Sequence, residues 1–391
     1  MTIKKGKSII CFAAGIAVTA AAIGGYRFVS DAMADATGET VPGSSASEQK
    51  IEEICDIIDE QYLFKKSDYD LAESMYAGLM EGLDDPYSCY YTREEYQEVS
   101  ESNEGHYEGI GVVLMQDADT GAPTVAYCYE DGPASRAGVQ QGDIISKVGD
   151  EPVEDMELTE ISELIKESED VISLTLYRES SDQYIEVEVT KEDVEIPSVR
   201  WEMKENNTGY LAINQFTAVT AEQFQEARKE LEKQGMERLI VDLRDNPGGL
   251  LDGVCDTLNC FMPEGLLVYT EDKNGNREEY YSEGENPIDI PLAVLVNENS
   301  ASAAEIFAGA VQDHGAGTLV GTTTYGKGIV QKTFGLSDGS VIKLTISSYY
   351  TPNGENIHGK GIQPDVVVEQ PKDSKDDLQL SRAMEILRDK N

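Results

Sequence analysis

The sequence predicts a multidomain chain of mixed α+β and α/β class: a helical N-terminal segment, a β-rich module, then an α/β domain. Three observations carry this. Over 48–102 apolar residues recur at three- and four-residue steps, first Ile51, Ile54, Ile57 and Ile58, then Leu71, Met75, Leu79 and Leu83. Over 103–190 short strand-like runs are punctuated by glycine. From Thr208 onward strand-like and helix-like runs alternate, as in a layered α/β domain.

The first 34 residues stand apart. Lys4, Lys5 and Lys7 precede an uncharged run over 8–26, and no acidic residue occurs before Asp31. A basic flank ahead of about eighteen apolar or small residues reads as an export signal or a membrane anchor, with the remaining chain outside the cytoplasm. Ala32-Met33-Ala34 offers an A-x-A cleavage site, so both readings stand, and the length of the run favours the anchor. Residues 35–47 are small and polar and form a linker. The helical pattern of 48–102 is broken at Asp85-Pro86. In 103–190 the expected strands are 109–115, 123–129, 143–148, 173–178 and 184–190, with an amphipathic helix at 156–168. In 191–371 the strands are 208–216, 238–244 and 292–297, with helices at 221–234 and 301–314. A short amphipathic helix lies within 372–391.

Composition narrows the function. In 391 residues, 40% apolar and 27% charged, a full core can form, but the net charge of −43 lacks the basic footprint that nucleic acid requires. Six cysteines occur without a C-x-x-C, and three histidines without an H-E-x-x-H, so no metal or organic cofactor is expected. With Cys11 in the apolar run, five cysteines remain. Cys255 and Cys260 can pair only if their loop bends suitably, and isolated buried thiols are the favoured reading.

Three segments carry chemistry. In the first, a buried run from Leu292 ends in N-S-A-S-A-A-E-I (299–306), which opens a helix and sets Ser302 at its N-terminus. Free amides and the helix dipole favour developing negative charge there. The same S-x-x-E spacing to Glu305 also fits a capping box, in which Ser302 only caps the helix. A nucleophile needs a base. His314 stands at the far end of that helix, roughly 18 Å away, and His358 lies in a later loop. Lys327, in Y-G-K-G (325–328), is flanked by glycines that permit close approach, and burial can keep a lysine neutral. Residues 321–327 also match the start of a phosphate-binding loop, but Gly328 stands where Ser or Thr should hold magnesium and a strand-like run follows, so that reading fails. In the third segment, D-L-R-D-N-P-G-G-L-L (242–251), a buried strand ends in a Pro-Gly-Gly turn able to present backbone amides to an oxyanion.

Together these segments resemble the C-terminal processing peptidases, or tail-specific proteases. Their S-A-S-A-[SA]-E-I pattern falls on 300–306, their [YF]-G-K-G-x-V-Q on 325–331, and D-L-R-x-N-P-G-G-L-L on 242–251. The resemblance implies Ser302 as nucleophile, Lys327 as base, Gln331 as the residue orienting Lys327, and the amides of Gly248 and Ala303 as oxyanion hole. It implies an α/β peptidase domain of the ClpP–crotonase type over 191–371. D-D-P-Y-S-C-Y (84–90) is similar to the close of the family's helical segment, and I-H-G-K-G-I-Q-P-D (357–365) to its closing segment, which gives His358 a structural part. Over 103–190, G-I-G-V (Gly109, Ile110, Gly111, Val112) and G-P-A-S-R-A-G-V-Q-Q-G-D (132–143) resemble a PDZ domain, in which a glycine-rich loop binds a terminal carboxylate and a strand edge pairs with the tail. The expectation is a serine endopeptidase acting on C-terminal tails of extracytoplasmic proteins, tethered at the membrane or secreted after signal cleavage, with no nucleic-acid partner and room for a homo-oligomer. The competing reading is a catalytically silent scaffold that binds tails through its PDZ-like domain.

Overall fold

The structure, a computed structural model, describes residues 42–43, 45–117, 120–371 and 374–389. The expected signal or anchor lies outside them, and among the described residues no helix is long and apolar enough to cross a membrane. The chain divides into two compact units, one ending at Gly82 and one running from Leu83.

In the first unit, helix α1 (Ser45–Gln61) and helix α2 (Asp68–Glu81) realise the helical periodicity. Ser67 caps α2, its hydroxyl accepting from the Asp70 amide at 3.1 Å. Ile51, Ile54 and Ile57 of α1 are exposed.

The second unit begins with a short strand that the helical reading of 48–102 missed. Strand β1 (Cys89–Tyr91) joins a sheet far along the chain, and helix α3 (Arg93–Glu104) follows it, boxed by Thr92 and Glu95 and ended by Gly105 in the left-handed region. Next comes a β-rich module. Strand β2 (His106–Gly109) leads to β3 (Val112–Gln116), β4 (Pro123–Cys128), helix α4 (Pro133–Arg136), β5 (Ile144–Val148), β6 (Glu151–Pro152), helix α5 (Leu158–Glu167), β7 (Val171–Arg178) and β8 (Gln183–Thr190). Its sheet runs β3-β4-β5-β7-β8, with β6 on β5, so among the described residues no strand pairs with the outer edge of β3. Ile110, Val125, Ile145, Ile161, Leu174 and Val189 fill its core. Strand β9 (Glu192–Glu195) returns to pair with β2, closing a two-stranded ribbon at the module's exit.

The remaining chain builds the α/β domain around two sheets. One contains β10 (Val199–Lys204), β11 (Thr208–Ile213), β12 (Arg238–Asp242), β15 (Leu292–Val296), β16 (Thr318–Gly321) and β19 (Val366–Val367) in that order, parallel from β11 onward. The period of two sorts its side chains. Leu239, Val241, Val294, Val296 and Leu319 face a core shared with helices α6 (Thr220–Lys233), α7 (Leu251–Asn259) and α8 (Ala303–Asp313). Ile240, Ala293, Leu295 and Val320 face the other way, where Ala383 and Leu387 of the C-terminal helix α9 (Leu378–Asp389) cover them. The other sheet joins β1, β18 (Val341–Tyr350), β13 (Gly265–Asp272) and β14 (Arg277–Ser282), with β17 (Ile329–Gly335) on the opposite edge of β18. The expected strands and helices appear with ends shifted by up to three residues, some trimmed and some extended, as where 173–178 becomes Val171–Arg178. Cys255 and Cys260 are buried and unpaired.

Candidate active site

Ser302 stands between β15 and α8 in a conformation few L-residues adopt, φ 54° and ψ −115°. Such backbone costs on the order of 1–3 kcal/mol and persists only where its surroundings impose it. Here they do. The Ser302 amide donates to Glu305 Oε2 at 2.9 Å, and its carbonyl accepts from the Glu305 and Ile306 amides and from the Tyr349 hydroxyl. The preceding turn is laced by Ser300 Oγ donating to the Leu243 carbonyl (2.7 Å) and the Ala301 amide donating to the Asn246 carbonyl (3.0 Å). Ser302 does occupy the N-cap of a capping box. Yet the Glu305 amide donates to the Ser302 carbonyl at 2.8 Å, and no capping hydrogen bond reaches the hydroxyl. The carboxylate of Glu305 caps the Ser302 amide, while the Ser302 hydroxyl stands in the capping-box position over the Glu305 amide and makes no hydrogen bond among the described residues.

Glu305 is the residue that sequence reasoning left as a mere cap partner. It is fully buried and accepts four hydrogen bonds, from the Ser302 amide, the Thr324 hydroxyl (2.6 Å), the Gly326 amide (2.7 Å) and the Lys327 amide (2.8 Å). Burial pushes its carboxyl up, and these four donors oppose that by holding the charge. One carboxylate thereby fixes the Ser302 turn to the Lys327 loop. The loop's glycines are explained by close packing on 357–362. A Cβ on Gly326 would stand 2.9 Å from the Gly361 amide nitrogen, and one on Gly328 would stand 2.6 Å from that of His358. His358 meets the loop through its backbone while the residue itself is exposed, so its part is structural.

Lys327 is mostly buried and forms no ion pair among the described residues. Its ammonium lies 4.6 Å from the centroid of the Tyr87 ring. Burial first, then the charge of Lys343, pushes its pKa down to about 8, against the opposing pull of Asp85 and Glu305. The floor of this pocket is the segment Asp85–Tyr91. Ser88 Oγ donates to Asp85 Oδ2 at 2.5 Å and accepts from the Thr345 amide at 3.0 Å. Burial pushes the Tyr87 hydroxyl up to about 12, with Tyr325 adding to it. The D-D-P-Y-S-C-Y stretch, read from sequence as the end of a helical segment, thus belongs to the lysine's surroundings.

Two expected partners stand differently. Gln331 lies on β17 next to a register shift, and its side-chain amide donates to Thr345 Oγ1 at 3.3 Å; it makes no hydrogen bond to Lys327. Gly248 is packed on Ser302, since a Cβ there would stand 2.7 Å from Ser302 Cβ, but its amide donates to Asn246 Oδ1 at 2.8 Å. The Ala303 amide has no such partner. Beside the end of β12 lies a polar cleft of about 490 Å³ lined by Tyr210, Asp242, Arg244 and Gln379; Ser302 and Lys327 do not line it. Arg244 instead forks between Asp242 and Asp377, anchoring the start of α9.

In the β-rich module, Gly109 ends β2, Ile110 is buried, Gly111 takes φ 74°, and Val112 opens the free-edged strand β3. The carbonyls of Ile110 and Gly111 are taken by the Ala134 and Tyr129 amides. Tyr107 lies across Gly109, where a Cβ would stand 2.3 Å from its ring.

Comparison with known proteins agrees with this layout. "Peptidase family S41" matches residues 207–368, "PDZ domain" matches 124–178, and "Activating protease CtpB N-terminal domain" matches 17–95. A "Probable CtpA-like serine protease" of Staphylococcus epidermidis is 35% identical over 331 residues, 84% of this chain and 66% of that protein. Its Staphylococcus aureus counterpart is 34% identical over the same shares. The chain thus spans 66% of the length of these curated relatives. The solved structure named "Putative S41 protease from Bacteroides fragilis" shares the fold, with a TM-score of 0.53 at 17% identity over 91% of this chain and all of that one. The S41 and PDZ matches lie in the order in which the fold sets the two domains, and the chain is similar to CtpA-like serine proteases and carries a peptidase domain of family S41.

Proposed function

We propose that this protein is a serine endopeptidase that holds polypeptides by their C-terminal tails and cleaves them with Ser302 and Lys327. The observation that carries it is the Glu305 carboxylate, which binds the Ser302 amide and the Lys327 amide at once and so sets a free hydroxyl and a poorly solvated lysine in one frame. In the proposed reaction, neutral Lys327 Nζ takes the Ser302 proton as Oγ attacks the scissile carbonyl. The Ala303 amide, at the N-terminus of α8, stabilises the oxyanion, and Gly248 joins it once its amide turns from Asn246. Lys327 returns the proton to the leaving amine, and water then releases the acyl group. The proposed tail site runs along the free edge of β3 beside α5, with the carboxylate at 109–112. The uncharged run at 8–26 supports action outside the cytoplasm, with the chain anchored or released there.

Incubation of the full chain with unfolded proteins bearing apolar or charged C-termini, with cleavage mapped by mass spectrometry, tests the reading. Ser302→Ala is expected to abolish cleavage and to keep tail binding and fold. Full cleavage by a folded Ser302→Ala protein removes Ser302 as nucleophile, while tail binding without cleavage by the wild type leaves the scaffold reading in its place.

A further inference from the structure

Lys343 projects from β18 on the same side of the sheet as Thr345, and Cys89 of β1 is its cross-strand neighbour. Its ammonium donates to the Tyr91 hydroxyl at 2.8 Å and lies 5.3 Å from that ring's centroid. It forms no ion pair among the described residues. The side chain is half-buried, yet its pKa is raised, because Tyr91 and Cys89 outweigh the desolvation that would lower it. A half-buried cation with no carboxylate partner projects its charge onto whatever titrates beside it. What lies beside it is the lysine pocket: the segment 85–91 supplies Tyr91 to Lys343 and Tyr87 to Lys327, and Ser88 in between accepts from Thr345, two residues from Lys343.

We propose that Lys343 is a positioning residue for the reaction, a second ammonium that β1 and β18 hold beside Lys327 so that Lys327 releases its own proton readily. This rests on Lys327 being the base. The groups that face Lys327 come from three elements, Asp85 and Tyr87 from the segment before β1, Glu305 from α8 and Lys343 from β18, while Tyr325 of its own loop acts on Tyr87. The two carboxylates favour the charged form of Lys327, and Lys343 is the cation that opposes them. Sequence alone does not single it out, since Lys343 lies 16 positions beyond Lys327 and outside any catalytic pattern.

The test uses the full chain with denatured, fluorescently labelled casein, following the rate at low substrate against pH. The rate of wild type should rise with pH as Lys327 loses its proton. In Lys343→Met the rising limb should move to higher pH by about one unit, costing about tenfold below the limb and little above it. Lys343→Arg should restore the wild-type limb. Tyr91→Phe should move it the same way by less, and it serves if Lys343→Met fails to fold. A second readout is independent of turnover: in Ser302→Ala protein, acylation of Lys327 by an amine-reactive reagent, mapped by mass spectrometry, should show the same displacement on adding Lys343→Met. A pH-independent loss of rate, or an unmoved limb in both readouts, overturns the proposal. Cleavage by Lys327→Ala would overturn the reading beneath it, a result distinct from any Lys343 outcome.

Discussion

The two sides of the Lys327 loop differ in how firmly they are held. On the N-terminal side, Thr324, Gly326 and Lys327 all bond to one buried carboxylate, which also grips the Ser302 amide. On the C-terminal side, Gln331 sits next to a register shift on β17 and spends its amide on Thr345 at 3.3 Å, a long bond to a side chain of the neighbouring strand. Ser302 and Lys327, the proposed nucleophile and base, are tied to one carboxylate, whereas Gln331, the residue proposed to orient the base, belongs to an edge strand with an irregular register. The contrast assigns the static part of catalysis to Glu305 and leaves β17 as the adjustable part.

The largest effect should come from the base itself. Lys327→Arg and Lys327→Met should both be inactive, the first because guanidinium stays protonated. They should differ in stability. A lysine whose folded pKa is about 8 against an ordinary 10.5 binds fewer protons folded than unfolded between those values. Wild-type stability therefore rises with pH across that window, and below it the buried ammonium carries the full penalty. Lys327→Met should be more stable than wild type by about 3 kcal/mol at neutral pH, with the gap closing by about pH 10.5. Denaturant melts at pH 7 and pH 10 measure this, and a Lys327→Met protein less stable than wild type at pH 7 would mean that the lysine is solvated or paired.

Next comes the frame. Glu305→Ala removes the acceptor from one buried hydroxyl and three amides and should cost about 3 kcal/mol or more, with activity lost as Ser302 relaxes from φ 54°. Glu305→Gln retains one carbonyl acceptor and should fold better, yet its amide NH₂ faces donors, so cleavage should still fall by roughly a hundredfold. Near-wild-type cleavage by Glu305→Gln would show that the loop and the turn keep their register without the carboxylate.

Much of this was legible in the sequence, and the gaps have physical causes. Buried strands such as Leu292–Val296 and amphipathic helices such as Thr220–Lys233 declare themselves by period. The three residues of Cys89–Tyr91 do not, because their strand identity comes from pairing with Val341–Lys343, some 250 positions away. Ser302 and Lys327 stand in local patterns, and the structure ties the amides of both to the Glu305 carboxylate. Glu305 was visible only as a helix cap, since its bonds to Thr324, Gly326 and Lys327 cross 19 to 22 positions. Gly248 was rightly placed against Ser302, but the direction of its amide depends on Asn246 and cannot be read from a motif.

The smallest effect expected is at Gln331, and it bears most directly on the contrast between the two sides. Four steps of straight strand separate residues by roughly 13 Å, so Gln331 reaches Lys327 only if the chain bends between them. Gly328, pressed on the His358 backbone, is the residue that permits the bend, and the shift between Val330 and Gln331 is where the register can change. If tail binding to the PDZ-like module resets this edge, Gln331 should exchange Thr345 for Lys327 only when a tail is bound. Gln331→Ala should then lower the maximal rate on tailed substrates by about tenfold, the scale of a lost orienting hydrogen bond, and leave KM nearly unchanged. Thr345→Val, which removes the competing acceptor, should instead raise activity on substrates lacking a recognised tail. Equal losses on tailed and untailed substrates in Gln331→Ala, with Thr345→Val silent, would make Gln331 an ordinary strand residue and the catalytic unit a dyad of Ser302 and Lys327.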